Sequence, residues 1–307
     1  MRSKAELEHE IRRNRHAVLL INQLSRRGRQ LGAQARDRLE YNGFTFSQVH
    51  MVNSRDHLAS AIEEALAARP TFLIVGSGDG TVSQIAARLA YRDTVLGVLP
   101  FGTTNNFARN LGIPTGLAAI DTLSNGKVVD IDLGQAGDAH FANVAGIGLS
   151  ADVAASVSPV LKRRLGRTAY VMSGLWRLLG HRAFTANLEV DGRSVDIHTH
   201  QVVVANGAFH GGTLIGHDVT IDDRQLAAFW LGNAGRLGFI ADLGLFILAR
   251  GRTRKRTNVQ AAARVRITTV PPLPVELDGE LAGMTPVEIS VAEEALKIMV
   301  PRSFQDD

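Results

Sequence analysis

The sequence predicts an α/β domain with a parallel sheet, followed by a mostly β domain built as a sandwich. Three observations predict this. Strand-like and helix-like runs alternate through the first third of the chain, the βαβα order of a parallel sheet covered by helices. After about residue 130 the texture changes to short strand-like runs separated by turns containing Gly and Asp. The 307 residues, 45% hydrophobic and 21% charged, suffice for two packed domains and exclude a disordered chain.

Taken in order, "HAVLLIN" (16–22) reads as the first strand, and a basic helix follows with Leu31, Ala35 and Leu39 on one face. "FTFSQVHMV" (44–52) is the second strand, and Ser54 is placed to cap a helix carrying Leu58, Ile62, Ala65 and Leu66. "TFLIVG" is the third strand; Val82, Ile85, Ala86 and Leu89 then recur at helical spacing; "VLGVLP" (95–100) is the fourth strand. In the second half "VVDIDLGQAG", "HFANVAGIGLS", "AFTANLEVDG", "SVDIHTHQVVVANG", "QLAAFWLG", "NVQAAARVRITTV", "LPVELDGE" and "VEISV" are strand candidates, interrupted by helical runs near 159–180 and 236–249. The domains are expected to span 1–130 and 131–295.

Bulk composition removes several function classes. With no cysteine, disulfides and thiolate metal sites are excluded, which agrees with a cytoplasmic setting. The opening "MRSKAELEHEIRRNR" is too charged for the apolar core of a secretory leader. No uncharged run approaches the ~18 residues of a membrane span. The net charge of +4 suits an anionic ligand or surface, but no helix-turn-helix or zinc-finger pattern accompanies it, so no nucleic acid is expected. The ten histidines form no HExxH-type ligand pattern; His198 and His200 alternate on a strand-like run and are read as surface residues.

Four stretches can carry chemistry. "VGSGDGTVSQ" (75–84) sits where a strand turns into a helix. Gly76, Gly78 and Gly80 can take backbone angles closed to other residues, and free N–H groups at the helix start favour an anion. "LPFGTTNNFARNLGIP" (99–114) is a second strand–loop–helix corner, with Thr103, Thr104, Asn105 and Asn106 beside free N–H groups; an ordinary helix cap fits it equally. "INQLSRRG" (21–28) could close Asn22, Ser25 and Gly28 over a phosphate, or be a polar turn. In "VELDGE" (275–280) Asp278 and Glu280 flank a glycine. Either could accept a proton from a hydroxyl, while Asp-Gly is also the strongest hairpin signal.

Together these stretches, in this order and spacing, resemble the diacylglycerol kinase catalytic-domain family, with its bacterial soluble lipid kinases and sphingosine-kinase-like branch. "VDIDLG", "FANVAGIGLSADV", "RRLGRTAYVMSGL", "VVVANGAFHGG" and "IDDRQL" extend the resemblance from about residue 17 to 300. It implies an α/β kinase domain, a β-sandwich substrate domain, an active site in the cleft between them, and a last strand (296–307) that returns to the first domain. It implies ATP bound by Ser77, Gly78, Asp79, Gly80, Thr81, Val82 and Ser83, by Gly102, Thr103 and Asn105, and by Asn22, Ser25 and Asn53. Asp79 would organise Mg²⁺, Asp278 would be the general base, and Glu280 would stand beside it. A structural Mg²⁺ would use Asp223 with the carbonyls of Thr220 and Gln225. Several positions depart from the family's pattern: Ser77 for the first glycine of the loop, Ser83-Gln84 for Asn-Glu, Asn106 for Asp, and Arg224 for Gly.

The implied activity is phosphorylation of a lipid hydroxyl, on diacylglycerol, phosphatidylglycerol or a sphingoid base. A soluble alcohol, as in the related NAD kinases, and a nucleotide-binding regulator are the alternatives. "GRTRKRTN" (251–258), just after the apolar run "LGFIADLGLFILA", and "LKRRLGR" (161–167) are basic clusters that could touch an anionic membrane peripherally. A solvated basic loop beside a core helix is the plainer reading. Trp176 and Trp230 are read as packing residues, and a homodimer is left open.

Overall fold

The computed structural model describes residues 2–156, 181–210, 213–214, 220–231, 239 and 259–306. The helical runs expected at 159–180 and 236–249 (Phe239 aside), both basic clusters and Trp176 lie outside the described residues. The chain forms two compact units, one of Met1–Leu133, Ile221–Asp223 and Glu293–Asp307, the other of Gly134–Thr220 and Arg224–Ala292.

The first unit is α/β. It contains α1 (Lys4–Asn14), β1 (His16–Asn22), α2 (Arg26–Tyr41), β2 (Thr45–Val52), α3 (Arg55–Ala67), β3 (Phe72–Ser77), α4 (Asp79–Arg88), β4 (Val95–Pro100), α5 (Asn106–Asn110) and α6 (Ala119–Asn125). Strands pair in the order β2-β1-β3-β4, all parallel. β3 and β4 are buried along their whole length, which is why they read as unbroken apolar runs rather than alternating ones. The helices bury the residues that their spacing marked: Ala35 and Leu39 on α2, and Ile62, Ala65 and Leu66 on α3. Ser54 caps α3, its Oγ accepting the His57 N–H at 3.2 Å. α1 is the element that the sequence reading passed over as merely charged. Its apolar stripe is only Leu7 and Ile11, one helical turn apart and both buried, and a Ser3/Glu6 capping box starts it.

β5 (Lys127–Ala136) leaves the first unit, and β18 (Val287–Val300) ends in it, parallel to β4 at Ile298–Leu96. Lys297, buried, pairs with the mostly buried Asp130 at 2.7 Å, and Asp132 accepts the Glu294 N–H at 2.9 Å. The charges in "VVDIDLG" thus anchor the last strand, and burial with a partner is what makes them tolerable there.

The second unit is a β-sandwich. In chain order it adds β6 (Ala139–Phe141), β7 (Val144–Gly148), α7 (Leu149–Ser156), β8 (Phe184–Val190), β9 (Arg193–Thr199), β10 (Gln201–Ala205), the two-residue strands β11 (Phe209–His210) and β12 (Thr213–Leu214), β13 (Leu226–Leu231), β14 (Gln260–Ala262), β15 (Arg264–Val270), β16 (Pro274–Leu277) and β17 (Glu280–Met284). One antiparallel sheet runs β14-β13-β10-β7-β16-β17; the other runs from the start of β18 through β15 and β8 to β9. Alternate residues fill the space between them: Val202 and Val204, Leu226, Ala228 and Trp230, Val275 and Leu277 from one sheet, and Leu188, Val265, Ile267 and Ile289 from the other. The opposite face of the six-stranded sheet, with Val203, Ala227, Phe229 and Leu231, packs with Leu149 and Val153 of α7 and with Phe239.

His200 is a correction. It is 3% exposed and stacks on Phe239 at 4.7 Å between ring centroids, whereas His198 is exposed as expected. The alternation that placed both on one face assumed a single strand through 194–205. The chain instead bends at His200, ending β9 in one sheet and starting β10 in the other.

Candidate functional site

In the first unit, three turns follow β1, β3 and β4 at their carboxyl ends, where parallel α/β sheets bind ligands. α4 begins at Asp79, with Gly78 as an N-cap that makes no side-chain bond. The first intrahelical bond runs from Val82 N–H to the Gly78 carbonyl, so the N–H groups of Asp79, Gly80 and Thr81 have no partner within the helix. None of Gly76, Gly78 and Gly80 has a positive φ, contrary to the conformational freedom expected of them. Their smallness serves contact instead. A Cβ on Gly76 would sit 2.8 Å from the Phe101 ring, and one on Gly102 would sit 2.7 Å from Gly78 Cα, so two backbones cross there. A Cβ on Gly80 would meet no protein atom within 4 Å. Ser77 belongs to β3, 2% exposed, with a negative φ, and costs the loop nothing.

Side chains tie the turns together. Asp79 accepts Thr104 Oγ1–H at 2.8 Å on one oxygen and Phe107 N–H at 3.3 Å on the other. Asn22 Nδ2 donates to Thr81 Oγ1 at 3.1 Å, while its Oδ1 accepts Leu24 N–H. The Thr81 hydroxyl is thereby left to donate its own hydrogen elsewhere. Asn105, in the left-handed region at φ +48°, spends its amide on Gly102, accepting its N–H and donating to its carbonyl. Ser25 caps α2 through Gly28 N–H at 2.9 Å.

The sequence-derived nucleotide set therefore divides. Gly78, Asp79, Gly80, Thr81, Gly102 and Asn22 converge on one surface, with exposed Thr103 beside them. Val82 and Ser83 point into the unit, 3% and 1% exposed, because they lie on the buried face of α4. Their side chains, and those of Ser77 and Asn105, are not available to a ligand. Ser25 is committed to its cap, and Asn53 is exposed just beyond β2. Thr104, named among the polar residues of the second corner but not in the nucleotide set, fastens Asp79.

In the second unit, Leu277 pairs with Glu280 across a two-residue hairpin, with Asp278 at φ +49° and Gly279 at φ +90°. Positive φ at both positions is the type I′ geometry that Asp-Gly favours. The hairpin reading and the chemical one coexist, because the turn also presents a carboxylate. Asp278 accepts Ala142 N–H at 2.7 Å on Oδ2, and Asn143 and Val144 N–H at 3.0 and 2.9 Å on Oδ1. Its own N–H donates to the Val144 carbonyl. Burial pushes the Asp278 pKa up to about 6 against the opposing pull of these amides. Glu280 is exposed. Two residues before Asp278, Glu276 is 4% exposed, and burial raises its pKa to about 7, with the Asp278 charge adding to the effect and hydrogen bonds opposing it. The sequence reading overlooked Glu276; its signal was a carboxylate at an inward strand position beside the turn.

Thr220, Asp223 and Gln225 stand in one turn, where Arg224 takes φ +58°. That conformation comes freely only to glycine, and Arg224 adopts it here. Among the described residues no three His, Asp or Glu side chains gather to hold a metal ion. Nor is any described helix long and apolar enough to cross a membrane.

Two family models match the chain in succession. Residues 16–136 match the diacylglycerol kinase catalytic domain, and residues 143–300 match the YegS C-terminal NAD kinase beta sandwich-like domain. The chain belongs to this family of diacylglycerol kinase-like and YegS-like lipid kinases. Its relatives include a Bacillus subtilis diacylglycerol kinase, 30% identical over 88% of this chain and 90% of that one. A Pseudomonas putida probable lipid kinase, YegS-like, is 32% identical over 78% and 80%. An uncharacterized Synechocystis protein is 27% identical over 84% of this chain, which spans 62% of that protein's length. A crystal structure of a putative diacylglycerol kinase from Bacillus anthracis superposes with a TM-score of 0.73, covering 95% of this chain and 97% of that one; at 24% identity this likeness establishes the fold.

Proposed function

We propose that the chain is an ATP- and Mg²⁺-dependent lipid kinase that transfers the γ-phosphate to a hydroxyl of a lipid such as diacylglycerol, phosphatidylglycerol or a sphingoid base. The observation that carries the reading is the Asp278 carboxylate, held in place by three backbone amides, with its pKa raised to about 6. A base poised near neutral pH is what proton removal from an alcohol requires.

The residues present fit a nucleotide. The N–H groups of Gly80 and Thr81 and the Thr81 hydroxyl face one surface, and the side of Gly80 is open; donors of this kind suit phosphate oxygens at a helix start. Mg²⁺ usually keeps waters and takes one or two carboxylates plus phosphate oxygens. Asp79 supplies one such carboxylate, and each of its oxygens retains a lone pair beyond the bonds to Thr104 and Phe107. Bound Mg²⁺-ATP supplies the phosphoryl group and neutralises its charge. The chain's own residues do the rest: the Gly78–Thr81 turn orients the phosphates, Thr104 and Asn22 hold that turn in shape, and Asp278 takes the proton of the attacking hydroxyl. Peripheral contact with an anionic membrane is part of the same proposal.

The test is transfer of labelled γ-phosphate from Mg²⁺-ATP into a mixed lipid extract by wild type and Asp278→Asn in parallel. Labelled lipid from wild type, reduced about 10²–10⁴-fold in the variant, is expected, and its identification names the substrate. Equal transfer by both proteins would overturn the mechanism. ATP binding without lipid labelling would move the reading to a soluble alcohol or a regulator.

A further inference from the structure

In a two-residue type I′ hairpin the N–H of the second turn residue points away from the ladder and needs a partner of its own. Here that residue is Gly279, and its N–H donates to Glu276 Oε2 at 2.5 Å. Glu276 reaches this position from β16, where its neighbours Val275 and Leu277 face the sandwich core; Glu276 faces the other side, towards α7. It lies against the backbone of Gly146 on β7, its register partner. A Cβ on Gly146 would come within 2.6 Å of Glu276 Oε1 and 2.3 Å of Ser150 Oγ, so a glycine is required where the carboxylate lies. Glu276 also accepts a hydrogen bond from the Ser150 side chain. Ser150 is oriented for this by Gln201, whose Nε2 donates to Ser150 Oγ at 2.8 Å and whose Oε1 accepts Ser150 N–H at 2.8 Å. With Gln201 filling the acceptor side of the hydroxyl, its hydrogen is directed to Glu276. All these groups lie in the second unit.

We propose that Glu276 is a positioning residue for phosphoryl transfer: by holding the Gly279 N–H, with Ser150 and Gln201 behind it, it locks the left-handed Asp278–Gly279 turn and so aims the Asp278 carboxylate. The inference rests on Asp278 being the base, as proposed above. A buried carboxylate is costly, and an apolar side chain would fill a strand position facing α7 more cheaply. The geometry accounts for that cost. Asp278 sits at φ +49°, a conformation unfavourable to a non-glycine residue. An acceptor at the Gly279 N–H, the amide bond to Val144, and the three backbone amides and Asn143 side chain on its carboxylate hold it there. Of these, Glu276 is the side chain that holds the turn's own Gly279 N–H.

The test compares Glu276→Ala, Glu276→Gln and Asp278→Asn with wild type in lipid phosphorylation, with thermal melting as the fold check. For Glu276→Ala we expect kcat down about tenfold to a hundredfold, a misplacement effect, with the KM for ATP unchanged within about twofold because the nucleotide turns are not touched. Glu276→Gln keeps an amide oxygen that accepts the Gly279 N–H, and should recover kcat to within about fivefold of wild type. The Gly279 amide proton, shifted downfield by its bond to a carboxylate, should move upfield in Glu276→Ala and far less in Glu276→Gln. Three outcomes would overturn the inference: full kcat in Glu276→Ala, equal losses in the Ala and Gln variants, or a Gly279 resonance unmoved in Glu276→Ala. Should Glu276→Ala fail to fold, the kcat and Gly279 resonance of Glu276→Gln and of Ser150→Ala decide the matter; a Ser150→Ala protein with normal melting, normal kcat and an unmoved resonance would also overturn it. Asp278→Asn separates the two readings. If it retains full activity, the parent mechanism fails; if it is inactive while Glu276→Ala is fully active, only this inference fails.

Discussion

The turns of the first unit and the hairpin of the second solve opposite problems. Around Gly78–Thr81 the polar groups are backbone N–H donors, the surface is open at Gly80, and the acid of the turn, Asp79, pins a neighbouring loop through one hydrogen bond on each oxygen. Around Asp278 the side chains are acceptors, the carboxylate of Glu276 is buried and that of Asp278 two residues on is partly buried, and backbone amides converge on Asp278. On the proposed reading, a surface of donors without helical partners would receive an anion, and an acceptor whose proton affinity is raised would remove a proton. The difference teaches that the two regions would prepare these tasks by opposite means: donors left without partners in their own helix in one, and a carboxylate fixed by many donors yet raised in pKa by desolvation in the other.

The largest expected effect tests the acceptor side. Asp278→Asn should cut kcat about 10²–10⁴-fold without loosening ATP binding, as measured by nucleotide titration. In wild type, kcat/KM should fall below pH about 6, where Asp278 becomes protonated. Next comes the donor side, through a pair of glycines. Gly102→Ala would drive a Cβ into Gly78 Cα and Asn105 Oδ1 and should destabilise the unit by about 1–3 kcal/mol. Gly80→Ala, with open space around it, should melt as wild type yet weaken ATP binding. If ATP binding survives Gly80→Ala intact, the phosphates do not lie there.

A third effect distinguishes the two regions by pH. Glu276 and Asp278 have folded-state pKa values above their ordinary ones, about 7 and about 6. Between pH about 4 and 7 the folded state therefore binds more protons than the unfolded one, and stability falls as pH rises. The stabilisation is complete below the ordinary carboxylate pKa and is lost as pH passes the folded values. For Glu276 the loss is on the order of 3 kcal/mol, and Glu276→Gln should flatten that slope in melting curves taken from pH 4 to 8. The smallest effect lies outside both regions: Ser54→Ala, which removes the cap on α3, should cost ~1 kcal/mol and leave transfer unchanged.

Much of this was legible in the residues. β1, β3 and β4 announced themselves because both faces are covered, so apolar residues run without interruption; β2, half-exposed, shows a mixed pattern instead. The sandwich strands did so through alternation, and the glycine turns and Asp-Gly hairpin through residue types that few other conformations favour. α1 was missed because two buried residues are a thin signal among many charges. His200 was misplaced because a chain that changes sheets between consecutive residues leaves no mark in periodicity. Val82, Ser83 and Asn105 read as ligand contacts because a motif names positions, whereas helix phase and local hydrogen bonds decide which of them face outward.

By itself the sequence determined the class of each half, the order of the strands along the chain and the identity of the turns, since these follow from local sterics and from burial patterns a few residues long. Only the tertiary structure decided that Thr104 would claim Asp79, that the amides of 142–144 would converge on Asp278, and that Glu276 would be buried with a raised pKa. Each of these joins residues far apart in the chain or depends on what excludes water around a charge. Desolvation and long-range hydrogen bonds exist only once the sheets have formed, and no spacing along the chain encodes them.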